Sequence, residues 1–179
     1  MNTQTRVEAI LAKHGYADFK WIDPKSIVVA QWVRMKCMFG CSEYGKNACC
    51  PPNTFPVSEC RKFFDEYGSA VILHFEKTVD KPEDRGPWAK QANSKLLEVE
   101  REVFLSGYQK AFLLVMDSCR LCVDCAAQRV ACKNQLSARP GPEAMSVDVF
   151  ATARQCGYPI EVLSDYAQAM NRYAFLLIE

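Results

Sequence analysis

Two short segments hold most of the cysteines in this sequence. The first, CMFGCSEYGKNACCPP at residues 37–52, contains four of the ten, and the second, CRLCVDCAAQRVAC at residues 119–132, contains four more. Thiols placed this close together form disulfides, bind zinc or bind an iron–sulfur cluster. The same chemistry should account for both segments.

The second segment has three cysteines at intervals of three residues and a fourth further along. Thiolates at this C-x-x-C-x-x-C spacing can each reach a different iron of one cluster. Structural zinc usually binds two C-x-x-C pairs separated by a dozen or more residues. The chain has only two histidines that could act as further zinc ligands. The spacing therefore favours a [4Fe-4S] cluster over zinc. The predicted ligands are Cys119, Cys122, Cys125 and Cys132.

The first segment supplies a second set of candidate ligands. It opens like the loop of a radical S-adenosylmethionine protein, but Tyr44 stands where that class needs its third cysteine. Cys50 precedes two prolines, which fix the backbone beside the sulfur, so Cys50 is preferred to Cys49 as a ligand. The predicted ligands are Cys37, Cys41 and Cys50. Cys60, on the helix that follows, is either a fourth ligand or a buried thiol.

Four polar residues near these cysteines are predicted to contact a cofactor. Tyr44, Lys46 and Asn47 lie between the ligands of the first segment, where they either donate hydrogen bonds to cluster sulfurs or form a turn. Arg139 precedes the turn PGP and could bind an anion at the start of the next helix.

The overall composition favours a reduced, soluble protein. The chain has 179 residues and is 49% hydrophobic, so it can form one domain over residues 1–179. Its net charge of +1 does not indicate the basic surface that nucleic-acid binding requires. No apolar run approaches the roughly 20 residues of a membrane span. The N-terminus lacks a secretory signal, which predicts a cytoplasmic location. A secreted disulfide protein stays an alternative, because the number of cysteines is even.

The pattern of apolar residues predicts an α/β fold, with a mixed β-sheet flanked by helices. Predicted strands cover 26–33, 70–75, 111–116 and 173–179, with a short one at 161–164. Predicted helices cover 5–14, 56–67, 88–106 and a segment from 142 or 143 to 156. Both cysteine segments then follow the carboxyl ends of strands, where open α/β sheets place their binding loops.

The combined motifs resemble a known family. C-x-x-x-C-x-x-YGKN followed by CPP, then CxxCxxC with a further cysteine, and RPxxEAMxVDV at 139–149, look like the predicted metal-binding proteins called domain of unknown function 2284. The resemblance implies metal binding, most readily of iron–sulfur clusters, in anaerobic metabolism, and implies no settled reaction. Seven cysteines match the motif positions: Cys37, Cys41, Cys50, Cys119, Cys122, Cys125 and Cys132.

These observations predict a protein that binds two [4Fe-4S] clusters and transfers electrons to or from a redox partner protein. One alternative is a redox enzyme in which an iron with an open coordination position acts on a small molecule. A structural zinc module that mediates protein contacts is the other alternative.

Overall fold

A four-stranded β-sheet forms the centre of the fold in the computed structural model, which describes residues 2–165 and 167–179. Its strands are β1 (Phe19–Ile22), β2 (Ala70–Lys77), β3 (Phe112–Leu114) and β4 (Met170–Leu177), in the order β1-β2-β4-β3. Every neighbouring pair is antiparallel. The α/β class is thus confirmed, but the sheet is antiparallel and not mixed.

Five α-helices surround this sheet: α1 (Thr3–Lys13), α2 (Gln31–Gly40), α3 (Val57–Asp65), α4 (Arg85–Leu105) and α5 (Val149–Gln155). The predictions for α1, α3 and α4 are confirmed within a few residues. The helix predicted from 142 or 143 divides into a 3₁₀ turn at Glu143–Met145 and α5, because Ser146 between them has a φ of 62°. No helix within residues 2–165 and 167–179 combines the length and apolar character needed to cross a membrane.

The helices bury both faces of the sheet. Alternate residues of β2 point to opposite sides, so that Val71 and Leu73 pack with α1 and α4, whereas Ala70 and Ile72 pack with α3 and α5. This burial on both faces explains the continuous apolar runs, which led to the expectation of a mixed sheet.

The strand predicted at 26–33 is wrong. A 3₁₀ turn at Pro24–Ser26 is followed by a single bridge from Val29 to Val147, and α2 begins at Gln31. Its β-branched and aromatic residues favour a strand locally, but contacts with the rest of the molecule bury Val33 and Arg34 of the helix. The first cysteine segment therefore begins on a helix. The strand predicted at 161–164 is also absent there, and β1 was missed.

Helix α4 fixes the start of the second cysteine segment. Buried Asn93 accepts a hydrogen bond from the backbone N–H of Met116 and donates one to its carbonyl, each at 3.0 Å. Buried Glu100 accepts a hydrogen bond from the N–H of Leu113 at 2.8 Å. These side chains satisfy backbone groups along β3 that pair with no strand. The end of β3 is consequently held firmly where the cysteines begin.

Candidate metal centre

The two cysteine segments converge on one cavity of about 860 Å³. Eight cysteines line it: Cys37, Cys41, Cys49, Cys50, Cys119, Cys122, Cys125 and Cys132. All ten cysteines of the chain are free thiols. Segments that are about 70 residues apart in the sequence therefore present their sulfurs to the same space.

Two asparagines join the segments. Asn47 donates a hydrogen bond to the carbonyl of Cys119 at 2.9 Å and accepts one from the N–H of Cys49 at 2.8 Å. Asn53 donates to the carbonyl of Ala127 at 2.7 Å. Because both side chains are partly buried, these bonds position one set of cysteines against the other.

Amide N–H groups are directed at three sulfurs of the second segment. The side-chain amide of Asn134 donates to Cys122 Sγ at 3.0 Å, and the backbone N–H of Ala48 donates to Cys125 Sγ at 3.3 Å. Cys119 has hydrogen bonds from backbone N–H groups and from the thiol of Cys49, and these bonds lower its pKa. Such donors stabilise thiolates, the form of cysteine that binds metals.

The cavity cysteines form two groups that also affect each other. Burial raises the pKa of Cys50 to about 12, with further increases from Cys37, Cys41 and Glu143 on its own side of the cavity and from Cys119 of the second segment. The hydrogen bond to Cys119, followed by burial, raises the pKa of Cys49. Cys49 therefore belongs with the second segment, which leaves three cysteines in the first group.

One buried cation lies beside the first group. Arg34 donates five hydrogen bonds, all to neutral acceptors: the Ser146 hydroxyl twice, the Thr54 hydroxyl, and the carbonyls of Phe55 and Ala144. Burial raises the pKa of Cys37, and the charge of Arg34 partly opposes this increase. The guanidinium thus provides positive potential on this side of the cavity.

A carboxylate also lines the cavity. Glu143 lies in the 3₁₀ turn after the second segment, and its Oε2 is buried without a hydrogen-bond partner in the described part of the chain. Burial raises the pKa of Glu143 to about 7.

The comparison with known families agrees with this cysteine-lined cavity. The sequence model of the family described as "Predicted metal-binding protein (DUF2284)" matches residues 20–178. The chain belongs to this family. The resemblance found in the motifs is confirmed, and the family description supports metal binding without identifying the metal. No match to a curated protein or to a solved structure is significant.

Most of the predicted site residues of this DUF2284 chain meet at the cavity. Seven of the eight predicted ligands line it, as do Tyr44, Lys46 and Asn47. Cys60 does not: it is fully buried in the apolar core, with its Sγ 3.4 Å from the carbonyl of Phe55. Arg139 is paired with Glu100 at 2.7 Å and is not part of the cavity lining.

Four residues at the centre were not among the predicted site residues: Arg34, Cys49, Asn53 and Glu143. Cys49 was set aside because Cys50 has the proline context. The three polar residues left no signal in the sequence, because their roles depend on contacts between distant segments.

In residues 2–165 and 167–179, no three His, Cys, Asp or Glu side chains form a group that could hold one metal ion as they stand. The donors around the cavity nevertheless fit a thiophilic metal group, because soft sulfur ligands select zinc, copper(I) or iron–sulfur clusters.

Proposed function

We propose that residues 1–179 form a single cytoplasmic iron–sulfur domain that binds two [4Fe-4S] clusters and exchanges electrons with a redox partner protein. The observation that carries this proposal is the convergence of eight cysteines from two segments on one cavity. Cys119, Cys122, Cys125 and Cys132 would hold one cluster. The first-segment cysteines Cys37, Cys41 and Cys50 would hold the other.

The spacing of the thiols supports a cluster over a single zinc ion. Zinc requires its sulfurs to meet at one point, each about 2.3 Å from the metal. The ligands of a [4Fe-4S] cluster bind four separate irons and stand further apart. The C-x-x-C-x-x-C spacing of the second segment suits the second geometry.

The donors around the sulfurs support a role in electron transfer. Hydrogen bonds to cluster sulfurs, burial and nearby charge set the reduction potential of such centres. Asn134 and the N–H of Ala48 already donate to cysteine sulfurs, and Arg34 provides a buried positive charge. Two clusters in one cavity would be close enough together for an electron to enter at one and leave at the other.

Helix α2 presents a surface that suits a protein partner. Its exposed side carries Trp32, Met35, Met38 and Phe39, and Phe39 has 79% of its surface exposed. These side chains neighbour Cys37 and Cys41 in sequence. Clustered exposed apolar residues mark protein interaction sites, and transient redox complexes use small ones. A partner bound here would lie beside the first cluster.

Metal and acid-labile sulfide analysis of protein purified without oxygen tests the proposal. We expect about eight irons and about eight sulfides per chain, with broad visible absorbance. Cys119→Ser should remove about four of each, and Cys156→Ser, which changes a cysteine outside the cavity, should remove none. A colourless protein that contains zinc and no sulfide would refute the proposal and support the zinc module.

The first group of cysteines favours one second candidate, a redox enzyme acting on a small molecule. Three thiolates would leave one iron of a [4Fe-4S] cluster open to such a molecule. Electron paramagnetic resonance of the reduced protein separates the two functions. Small ligands that bind an open iron should change the spectrum, whereas an electron carrier should give the same spectrum with and without them.

A further inference from the structure

The carboxylate of Glu143 is placed where a buried charge needs a partner. Its Oε2 is shielded from solvent, has no hydrogen-bond partner among the described residues, and belongs to a side chain that lines the cysteine cavity. An unpaired buried carboxylate oxygen is unfavourable unless the group is protonated or the oxygen contacts a cation or a metal. A metal bound in the cavity would satisfy this oxygen without a proton.

Two arginines near the cavity, Arg172 and Arg34, do not fill this role in the part of the chain that the structure describes. Arg172 is close enough to affect Glu143, but its Nε pairs with Asp117 Oδ1 at 3.2 Å. Arg34 donates its hydrogen bonds to Ser146, Thr54 and two backbone carbonyls. Neither guanidinium donates to Glu143 Oε2 in the described structure.

Glu143 belongs to the first group of cysteines. Its backbone carbonyl is 3.9 Å from Cys37 Sγ, and its charge acts on both Cys37 and Cys50. That group contains three cysteines, one fewer than a [4Fe-4S] cluster requires. Cys60 would supply the fourth according to the sequence, but it lies in the core and does not line the cavity.

We propose that Glu143 Oε2 is the fourth ligand of the cluster held by Cys37, Cys41 and Cys50. This inference rests on the proposed function, because it assumes that the cavity holds iron–sulfur clusters. Carboxylate oxygen is an established ligand for iron in proteins. It is harder than sulfur, so the iron that it binds differs electronically from the other three. The ligation also closes a coordination position that three thiolates alone would leave open to a substrate.

Mössbauer spectroscopy of protein loaded with ⁵⁷Fe tests this ligation directly. In the wild-type protein we expect one distinct iron site with about one-eighth of the total absorption, corresponding to one oxygen-ligated iron in two clusters. Glu143→Ala should change the isomer shift and quadrupole splitting of that site, because water would replace the carboxylate on the same iron, and Glu143→Gln should shift it less, because a neutral amide is a weaker ligand. Circular dichroism establishes that both variants are folded.

A second measurement counts the iron that becomes labile. After oxidation with ferricyanide, which accepts one electron as one Fe²⁺ leaves the cluster, a ferrous chelator should remove about one iron of eight from Glu143→Ala. Sulfide should remain at about eight. The matched control is Glu43→Gln, which changes another carboxylate of the cavity lining that faces solvent beside Lys46. This control should match the wild-type protein in both experiments.

The possible results separate the two proposals. Wild-type protein without iron and sulfide overturns the proposed function. Wild-type protein with two clusters whose irons are all equivalent overturns only the ligation by Glu143. A distinct iron site that persists unchanged in Glu143→Ala also overturns it, because another group must then be the ligand.

Discussion

Replacing Arg139 tests whether this residue stabilises the fold or binds a cofactor. Its Nε contacts Glu100 Oε1 at 2.7 Å, and the guanidinium also lies 5.4 Å from the centre of the Phe112 ring. Glu100 is 5% exposed and Arg139 is 20% exposed, so both charges are largely removed from water. In Arg139→Ala the Glu100 carboxylate stays buried and loses its cation.

The expected cost follows from this burial. Removing one partner of a buried ion pair destabilises a protein by about 3 to 5 kcal/mol. We expect a loss near 3 kcal/mol, because Glu100 keeps its hydrogen bond from the N–H of Leu113 and some water can enter where Arg139 was. For a chain of this length that corresponds to a decrease in Tm of about 6 to 12 °C. Thermal unfolding followed by circular dichroism, under anaerobic reducing conditions, measures it.

Two controls separate the possible roles. Arg101→Ala removes an exposed arginine from the same helix as Glu100 and should change the free energy of unfolding by less than about 0.5 kcal/mol. Glu100→Gln combined with Arg139→Ala should recover part of the loss, because no unpaired charge is then buried. A loss below about 1 kcal/mol in Arg139→Ala, together with a lower iron content, would refute the structural role and support binding of the cofactor.

Three further substitutions test other contacts at the centre. Gly141→Ala should lower the free energy of unfolding by about 1 to 3 kcal/mol or more, because the added methyl group would overlap the carbonyl oxygen of Asp117. Thermal unfolding measures this loss. Asn47→Ala removes the hydrogen bond to Cys119 and should accelerate loss of visible absorbance in air, and an unchanged rate would contradict its role in joining the segments. Cys60→Ser should keep the full iron content while losing about 1 to 3 kcal/mol of stability, whereas loss of iron would restore Cys60 as a ligand.

The sequence predicted much of the fold because its strongest patterns are local. Helix α4 and strand β2 have long, regular apolar patterns, and both are confirmed. The segment at 26–33 was assigned wrongly because its residues favour a strand locally, while the preference for a helix comes from contacts across the molecule. Arg34 is the example, since two of its acceptors, Ala144 and Ser146, lie more than 100 residues away in the sequence.

The candidate centre could also be predicted only as far as local sequence patterns reach. Cysteine spacing predicted two groups that would converge, and the cavity brings those groups together, although the first follows a helix and not a strand. Spacing could not separate Cys49 from Cys60, because both are buried thiols near the first group. Only the folded chain places Cys49 against Cys119 and puts Cys60 in the core.

Charge provides a reason for the arrangement of these residues. A cluster ligated by thiolates carries a net negative charge, and burying that charge is favourable only if cations or hydrogen-bond donors are close. Arg34 is buried beside the first group with neutral acceptors alone, so an anionic cluster would supply the counter-charge that it lacks. Glu143 is the opposite case in the same cavity, since its Oε2 is a buried acceptor without a hydrogen-bond partner among the described residues. An iron held by Glu143 within a thiolate-ligated cluster would satisfy both residues at once.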